Sequence, residues 1–178
     1  MIQEVINEIS QVMAKVDEQQ LQKILPLFTK QRRIFVRGAG RSGFQAKSFA
    51  MRLMHLGYEV YVLGETITPS VQEGDLFIAI SGSGTTKGVL MDTKSAQEKG
   101  LTLLVFTSDS QAALAQFADE MVIILGATKT KSGIASIQLL SSLFDQTLHI
   151  TLDVLCLMLS RQQSATNDEI LQAHVNIE

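Results

Sequence analysis

The sequence lacks several features that define other classes of protein. Cys156 is its only cysteine, so the chain can form no internal disulfide. The 15 basic and 18 acidic residues give a net charge of −3, without the basic excess expected of a nucleic-acid-binding protein. No apolar run approaches the roughly 20 residues of a membrane span, and the first residues do not resemble a signal peptide. We therefore expect a cytoplasmic protein that binds neither nucleic acid nor a membrane.

Short apolar segments alternate with helical patterns along the 178 residues. The segments predicted as strands are 34–36, 59–63, 76–80, 101–106 and 121–125. The predicted helices are 2–25, 44–56, a helix ending near Lys99, 112–117, 137–159 and a short final helix starting near Asn167. Strands that are almost wholly apolar are typical of a parallel sheet with helices on both faces. The pattern predicts an α/β domain in which Cys156 is a small buried apolar residue.

Two glycine-rich segments each follow a predicted strand and precede a predicted helix. The first is Gly38-Ala39-Gly40-Arg41-Ser42-Gly43, and the second is Ser81-Gly82-Ser83-Gly84-Thr85-Thr86. Such a junction presents free backbone N–H groups and the positive end of a helix dipole to an anion. Ligands of parallel α/β sheets bind at the carboxyl ends of the strands, where both segments lie. Together the two segments predict a pocket for a small phosphorylated ligand.

The first segment also matches the G-x-G-x-x-G pattern of dinucleotide-binding proteins. Glu65 even follows at the distance where a ribose-binding acid is expected. Against this, the second segment carries hydroxyls that a dinucleotide site does not need. Arg41 and Ser42 also place side chains where a pyrophosphate would approach the backbone, and little chain is left for a substrate domain. We therefore favour a small phosphorylated ligand over a dinucleotide.

Several segments resemble the SIS (sugar isomerase) domain family and, within it, the branch of 6-phospho-3-hexuloisomerases. These segments are 38–43, 49–57, 64–69, 74–84, 142–146 and 174–178. The Ser-Gly-Ser-Gly run at 81–84 is typical of SIS domains in general. The segments around His55, at 66–69 and in the tail are more specific to the hexuloisomerases. The resemblance implies a three-layer αβα sandwich with a five-stranded parallel sheet, doubly wound like flavodoxin. It also implies one SIS domain over 1–178, with the N-terminal helix and C-terminal tail packing on neighbouring subunits of a homotetramer.

The resemblance further implies an activity. The hexuloisomerases interconvert 3-hexulose 6-phosphate (arabino configuration) and fructose 6-phosphate. They act together with 3-hexulose-6-phosphate synthase in the ribulose monophosphate pathway of formaldehyde fixation. The resemblance implies no nucleotide cofactor and no essential metal. A base removes the proton from C2, a cis-enediol forms, and a proton returns at C3. The reaction therefore needs a phosphate anchor, a base, and a donor to the enediolate oxygens.

The residues implied to bind substrate lie in the two glycine-rich segments and in the loop after the second predicted strand. In the second segment, Ser81, Ser83 and Thr86 would bind the phosphate, although serines there can also cap a helix. The loop residues would hydrogen-bond sugar hydroxyls or contact a neighbouring subunit. The full set is Gly40, Arg41, Ser42, Glu65, Thr66, Ser81, Gly82, Ser83 and Thr86.

Three residues are candidates for proton transfer. Asp145 occupies the position of the family's base, where glutamate is usual, so its carboxylate reaches about 1.5 Å less far. A carboxylate at the start of a helix can also act as a partner of the dipole. His55 would act in catalysis or ring opening, or would simply interact favourably with the end of its helix. His174 in the tail would complete the site of a neighbouring subunit.

Two other functions and one loop remain open at the level of sequence. The chain can be another SIS phosphosugar isomerase, of the arabinose 5-phosphate type, or a non-catalytic module that binds sugar phosphates. The segment 128–131, with Lys129 and Lys131, is interpreted as a solvated loop. The alternative is that this loop covers the site. The first helix and the helix 137–159 are more apolar than expected for a helix with one solvated face, which favours burial against other subunits.

Overall fold

A parallel sheet of five strands organises the computed structural model, which describes residues 1–129, 133–164 and 167–177. The strands are β1 (Ile34–Gly38), β2 (Val60–Val62), β3 (Leu76–Ile80), β4 (Thr102–Thr107) and β5 (Glu120–Ile123). The helices are α1 (Ile2–Met13), α2 (Glu18–Ile24), α3 (Gly40–His55), α4 (Lys87–Glu98), α5 (Ser142–Gln163) and α6 (Asn167–Gln172), with short 3₁₀ turns at Leu25–Leu27 and Ala113–Phe117. The strand order is β2-β1-β3-β4-β5. The predicted doubly wound α/β architecture is confirmed.

The sheet is buried on both faces because alternate residues of each strand point in opposite directions. In β1, Ile34 and Val36 join a core with α1, α2, α3 and α5, whereas Phe35 joins a second core with α4. The second core also includes Leu114 of the 3₁₀ turn after β4. Helices therefore cover both faces of the sheet and complete the three layers of the sandwich.

The connections run outward in opposite directions from the neighbouring strands β1 and β3. The chain passes from β1 through α3 to β2 at one edge, and from β3 through α4 to β4 on the other side. Gly38 at the end of β1 is paired with Ile80 at the end of β3. In open α/β sheets this reversal leaves a crevice at the carboxyl ends of the two strands. Both glycine-rich segments begin at this crevice.

The predicted N-terminal helix 2–25 is two helices, so its prediction as one element was wrong. The break precedes Glu18, where the Asp17 carboxylate accepts a hydrogen bond of 2.8 Å from the backbone N–H of Gln19. An aspartate at this position satisfies an amide that would otherwise be unpaired at the start of a helix. The apolar spacing continues across the break, which explains why periodicity alone did not reveal it.

Two further helices begin at positions that the sequence did not predict. α3 starts at Gly40, four residues before the predicted start, so the glycine-rich segment forms its first turn. α5 starts at Ser142, five residues after the predicted start at Ile137. Leu140 has a φ of 57°, which lies in the left-handed region and is incompatible with a continuous α-helix. The segment before α5 is therefore an irregular loop with an apolar sequence.

α5 is the longest helix and lies in the core. Its 22 residues are long and apolar enough to cross a membrane by length and composition, contrary to the expectation that no segment approaches this length. Leu148, Leu152 and Leu155 are nevertheless buried in the core that α5 shares with α1 and α3. Cys156 is buried as predicted, and burial raises the pKa of its thiol to about 12. These contacts identify α5 as a core helix.

Candidate active site

A cavity of about 160 Å³ lies at the carboxyl ends of β1 and β3. The starts of α3, α4 and α5 surround it, so residues distant in sequence meet there. The lining residues are Ala39, Gly40, Arg41, Ser42, Ile80, Ser81, Gly82, Ser83, Thr86, Lys129, Leu140, Ser141 and Asp145. Of the predicted site residues, the structure brings together those of both glycine-rich segments and Asp145.

The second glycine-rich segment forms a tight turn between β3 and α4. The hydroxyls of Ser81 and Thr86 are hydrogen-bonded to each other at 2.9 Å. Gly84 has a φ of 61°, and a Cβ there would lie 2.4 Å from the Cβ of Ala112. A Cβ on Gly82 would lie 2.8 Å from the Cδ1 atom of Phe144. Both glycines are therefore required by close packing, and the turn presents its hydroxyls and the amides at the start of α4 to the cavity.

The first glycine-rich segment packs the start of α3 against the end of β1. A Cβ on Gly38 would lie 2.7 Å from the backbone oxygen of Ser42, so only glycine allows this approach. Gly40, with a φ of 58°, is the first residue of the helix. The side chains of Arg41 and Ser42 consequently leave the first turn of α3 in the direction of α5, where both contact Asp145.

Asp145 is the carboxylate of the cavity and is only 1% exposed. The Ser42 hydroxyl donates a hydrogen bond of 2.9 Å to its Oδ1 atom. Its Oδ2 atom lies 3.4 Å from the Nε atom of Arg41 and accepts no hydrogen bond from the described residues. Burial raises the pKa of Asp145 above its usual value, although the Ser42 hydrogen bond and the charges of Arg41 and Lys129 partly offset this. A buried carboxyl with a raised pKa is suited to general acid–base catalysis.

The electrostatic environment of the cavity favours an anion. The starts of α3, α4 and α5 each direct unpaired backbone N–H groups and the positive end of a helix dipole toward it. Arg41 and Lys129 add two positive side chains, against the single negative charge of Asp145. Within the part of the chain that the structure describes, no group of three His, Cys, Asp or Glu residues is placed to hold a metal ion. The cavity thus has the composition of a site for a phosphate group beside a proton-transfer group.

The predicted catalytic histidines lie at the opposite end of α3. His55 is the last residue of that helix and is 7% exposed, and its ring stacks on the ring of His174 with the centroids 5.1 Å apart. A helix of 16 residues spans about 24 Å, so this pair is far from Asp145 of the same chain. Burial, together with the nearby His174 and Arg52, lowers the pKa of His55. The catalytic role of the two histidines stays a prediction.

Glu65 and Thr66 also lie outside the cavity of their own chain. Both are exposed in the loop after β2, and Glu65 forms an ion pair with Lys47 at 3.3 Å. Glu65 lines a groove between β2 and the outer face of α3 together with Met51, Met54 and Ile67. In one chain this loop lies at the edge of the sheet, so its predicted contact with substrate also stays a prediction.

Five lining residues were missing from the predicted site, namely Ala39, Ile80, Lys129, Leu140 and Ser141. Lys129 was interpreted as part of a solvated loop, yet it lies at the mouth of the cavity; Lys131 lies outside the described residues. Leu140 and Ser141 belong to the apolar segment that was assigned to a helix. Two signals were available: a lysine pair between a strand and a helix at the ligand edge of the sheet, and a serine at the start of a helix.

Comparison with known proteins identifies the family. The SIS domain family model matches residues 27–166. The chain is 38% identical over 173 residues to 3-hexulose-6-phosphate isomerase of Mycobacterium gastri, covering 97% of this chain and 87% of the relative. It is 33% identical over 179 residues to the protein of that name in Bacillus subtilis, with 99% and 97% covered.

A solved structure agrees with these relatives. A Methanococcus jannaschii protein, whose crystal structure was taken to infer a function of 3-hexulose-6-phosphate isomerase, is 30% identical to this chain and superposes with a TM-score of 0.85. The match covers 99% of this chain and 98% of that one. The arrangement of the sheet, the paired glycine-rich turns and these similarities lead to one conclusion: the chain belongs to the SIS domain family.

Proposed function

We propose that this protein is an isomerase that interconverts 3-hexulose 6-phosphate and fructose 6-phosphate. The observation that carries the proposal is the buried Asp145 carboxylate in the same cavity as the Ser81–Thr86 turn. An anion site alone would fit any sugar-phosphate-binding module, whereas a buried carboxyl with a raised pKa adds the group that moves the proton. The names of the relatives from Mycobacterium gastri and Bacillus subtilis support the choice of substrate.

The phosphate is anchored by the second glycine-rich segment. Ser81, Ser83 and Thr86 supply hydroxyl donors, and Gly82 lines the cavity between the two serines. The dipole of α4 adds a fixed positive potential that requires no reorganisation when the ligand binds. This anchor leaves the sugar carbons to extend toward the start of α5.

Proton transfer is assigned to Asp145. Its Oδ1 atom is occupied by the Ser42 hydroxyl, so Oδ2 is the atom that takes the proton from C2 and returns it to C3 of the cis-enediol. Arg41 lies over Oδ2 and is 56% exposed, so its side chain can turn toward the bound ligand when substrate enters. In that position Arg41 stabilises the negative charge that develops on the enediolate oxygens.

The histidine pair is proposed to act on the cavity of a neighbouring subunit. His55 and His174 are too far from Asp145 of their own chain to share its substrate, as the length of α3 requires. Exposed apolar residues on α1 and the tail, among them Ile2, Ile6 and Ile177, support packing of both elements on other subunits. We propose that the protein forms a homotetramer of single SIS domains in the cytoplasm. Its pathway partner would be 3-hexulose-6-phosphate synthase. Glu65 and Thr66 would contact the substrate or a subunit across that interface.

A coupled assay tests the proposal. Purified protein is mixed with 3-hexulose 6-phosphate, and fructose 6-phosphate is followed through glucose-6-phosphate isomerase and glucose-6-phosphate dehydrogenase. The proposal predicts product formation at a rate proportional to the protein. Turnover of arabinose 5-phosphate without turnover of the hexulose would assign the protein to the other type of SIS isomerase. Binding of fructose 6-phosphate with no turnover of either sugar would identify a non-catalytic module.

A further inference from the structure

Glu8 of α1 makes an unusual set of contacts with the loop before α5. Its Oε2 atom accepts hydrogen bonds from the Ser136 hydroxyl at 2.7 Å and from the Gln138 side-chain amide at 3.1 Å. Its Oε1 atom accepts a hydrogen bond of 2.7 Å from the backbone N–H of Ile137. One carboxylate near the N-terminus thus holds three consecutive residues that are about 130 positions away in the sequence.

The residues held by Glu8 lead directly into the wall of the cavity. Leu140 and Ser141 line the cavity and follow Gln138 by two and three residues, and Asp145 follows within the first turns of α5. At its other end the loop is tied to the segment after β5 by a hydrogen bond of 2.7 Å from the Ile134 N–H to the Leu125 oxygen. The Glu8 contacts therefore lie between two fixed ends.

The backbone of this loop needs such a restraint. Leu140 has a φ of 57°, a conformation that L-residues with a bulky side chain rarely adopt. A strained conformation persists only where the surrounding structure holds it in place. Leu140 itself is 67% exposed, so burial of its side chain does not supply the restraint. The Glu8 carboxylate and the start of α5, on the two sides of Leu140, do supply it.

The charge of Glu8 strengthens the contact. Burial raises the pKa of Glu8, but the hydrogen bonds from Ser136, Ile137 and Gln138 outweigh that effect and bring the pKa below its ordinary value. The carboxylate is therefore ionised at neutral pH, and hydrogen bonds to an ionised acceptor are stronger than those to a neutral one.

We propose that Glu8 is a positioning residue that holds segment 133–141 in place as one wall of the substrate cavity. The role of the wall rests on the proposed function, whereas the ordering of the segment does not. α1 then contributes to substrate binding without touching the substrate, because the position of Leu140 and Ser141 depends on a carboxylate behind them. An amide in place of the carboxylate would lose the anionic acceptor and oppose the Gln138 amide with another donor.

The test compares Glu8→Gln with wild type by hydrogen–deuterium exchange and by kinetics. We expect faster exchange confined to peptides within 134–141, and a KM for 3-hexulose 6-phosphate about 10-fold higher with little change in kcat. Ser136→Ala is expected to shift both quantities in the same direction, and its effect is expected to be largely lost in the double variant. Glu4→Gln is the matched control, because Glu4 lies on the same helix and pairs with the terminal ammonium group.

The outcomes separate the positioning role from the proposed function. Unchanged exchange in 134–141, or an increase along the whole chain together with a lower Tm, would overturn the positioning role. If the wild-type protein does not isomerise the hexulose, the proposed function fails; the affinity for fructose 6-phosphate then replaces KM. In that case a local increase in exchange with weaker binding in Glu8→Gln supports the positioning role, and unchanged binding contradicts it.

Discussion

The two ends of α3 differ in almost every property relevant to catalysis. At its start, Arg41 and Ser42 contact a buried carboxylate, and three helix N-termini surround a cavity suited to an anion. At its end, His55 stacks on His174 beside a small cavity of about 100 Å³ lined by Arg52 and Cys156. The first end has a buried carboxylate and a set of hydroxyls, proposed as base and phosphate site. The second end has two imidazoles and no comparable set of hydroxyl donors among its lining residues.

This difference shows how one helix can serve two sites. The residues proposed to bind and deprotonate the ligand are collected within one chain, at the switch point of the sheet. His55, a predicted catalytic residue, is about 24 Å away along the helix, and His174, which was predicted to complete a neighbouring site, stacks on it. If they take part in catalysis, they do so in a neighbouring subunit. Each of the following predictions tests one end of α3 or the relation between the two.

The largest effect is expected for Asp145→Asn. An amide cannot accept the C2 proton, so kcat should fall about 10²- to 10⁴-fold while fructose 6-phosphate still binds with nearly wild-type affinity. The measurement is steady-state kinetics together with calorimetric binding. Glu98→Gln, which removes an exposed surface carboxylate paired with Lys94, is the control and should leave both unchanged. Wild-type kcat in Asp145→Asn would remove Asp145 as the base.

The same variant has an expected effect on stability. Because burial raises the pKa of folded Asp145, the folded state binds more protons than the unfolded state between the two pKa values. Stability therefore falls as the pH rises through that window, and the ionised carboxylate destabilises the fold at neutral pH. Asparagine carries no charge, so the Tm of Asp145→Asn at pH 7 should be at least that of wild type. A lower Tm would indicate that the lost activity reflects misfolding.

A smaller loss is expected for His174→Ala, and its location can be tested by mixing subunits. Removing an auxiliary proton-transfer group should lower kcat about 10- to 100-fold. If His174 serves a neighbour, unfolding and refolding Asp145→Asn together with His174→Ala should rebuild some intact sites. If each site takes Asp145 from one chain and His174 from another, about one quarter of the sites in an equal mixture contain both intact residues. About one quarter of the wild-type activity should therefore return. Activity equal to the sum of the two separate variants would contradict a shared site.

Ser81→Ala is expected to weaken the phosphate anchor. The Ser81 hydroxyl is buried and bonded to Thr86, so its removal deprives the phosphate of a donor and should raise KM about 10-fold with little change in kcat. Steady-state kinetics with 3-hexulose 6-phosphate measure this. Ser110→Ala in an exposed turn is the control. A lower kcat at unchanged KM would move Ser81 from anchoring to proton transfer.

The smallest effect is a displacement of the pH profile in Arg41→Gln. Asp145 acts as a base when ionised, so kcat/KM falls as the pH drops through its raised pKa. The positive charge of Arg41 lowers that pKa. Without this charge, the fall of kcat/KM on the acid side of the pH profile should move to higher pH. Lys47→Gln on the same helix, paired with Glu65, should leave the profile in place. A shift of Arg41→Gln to lower pH would contradict the described contact.

The sheet was the part of the fold most accurately predicted from the sequence. β3 was predicted with the bounds that the structure shows, because five consecutive buried apolar residues between turn residues have no other good interpretation in this pattern. The start of α3 was missed because glycines usually indicate a loop, whereas here Gly38 and Gly43 allow a helix to start directly against a strand. Local composition does not reveal such a close approach.

The site was predicted in its chemistry but only partly in its geometry. The Ser81–Thr86 turn and Asp145 meet as expected, since the sequence places both at the same edge of the sheet. The burial of Asp145 and its bond to Ser42 depend on packing between residues about 100 positions apart, which periodicity does not encode. The backbone N–H of Ile137, where the helix was predicted to start, is likewise bonded to a distant residue, Glu8. Long-range contacts of side chains therefore account for most of what the sequence left open.

Proton exchange at the bound sugar tests the central claim most directly. Fructose 6-phosphate is incubated with the protein in deuterium oxide, and the C3 proton is followed by NMR. If Asp145 forms the cis-enediol in this cavity, wild type should replace the C3 proton by deuterium, and Asp145→Asn should not, although it still binds the sugar. Exchange that persists in Asp145→Asn, or that is absent from wild type under conditions where the sugar is bound, would contradict the account.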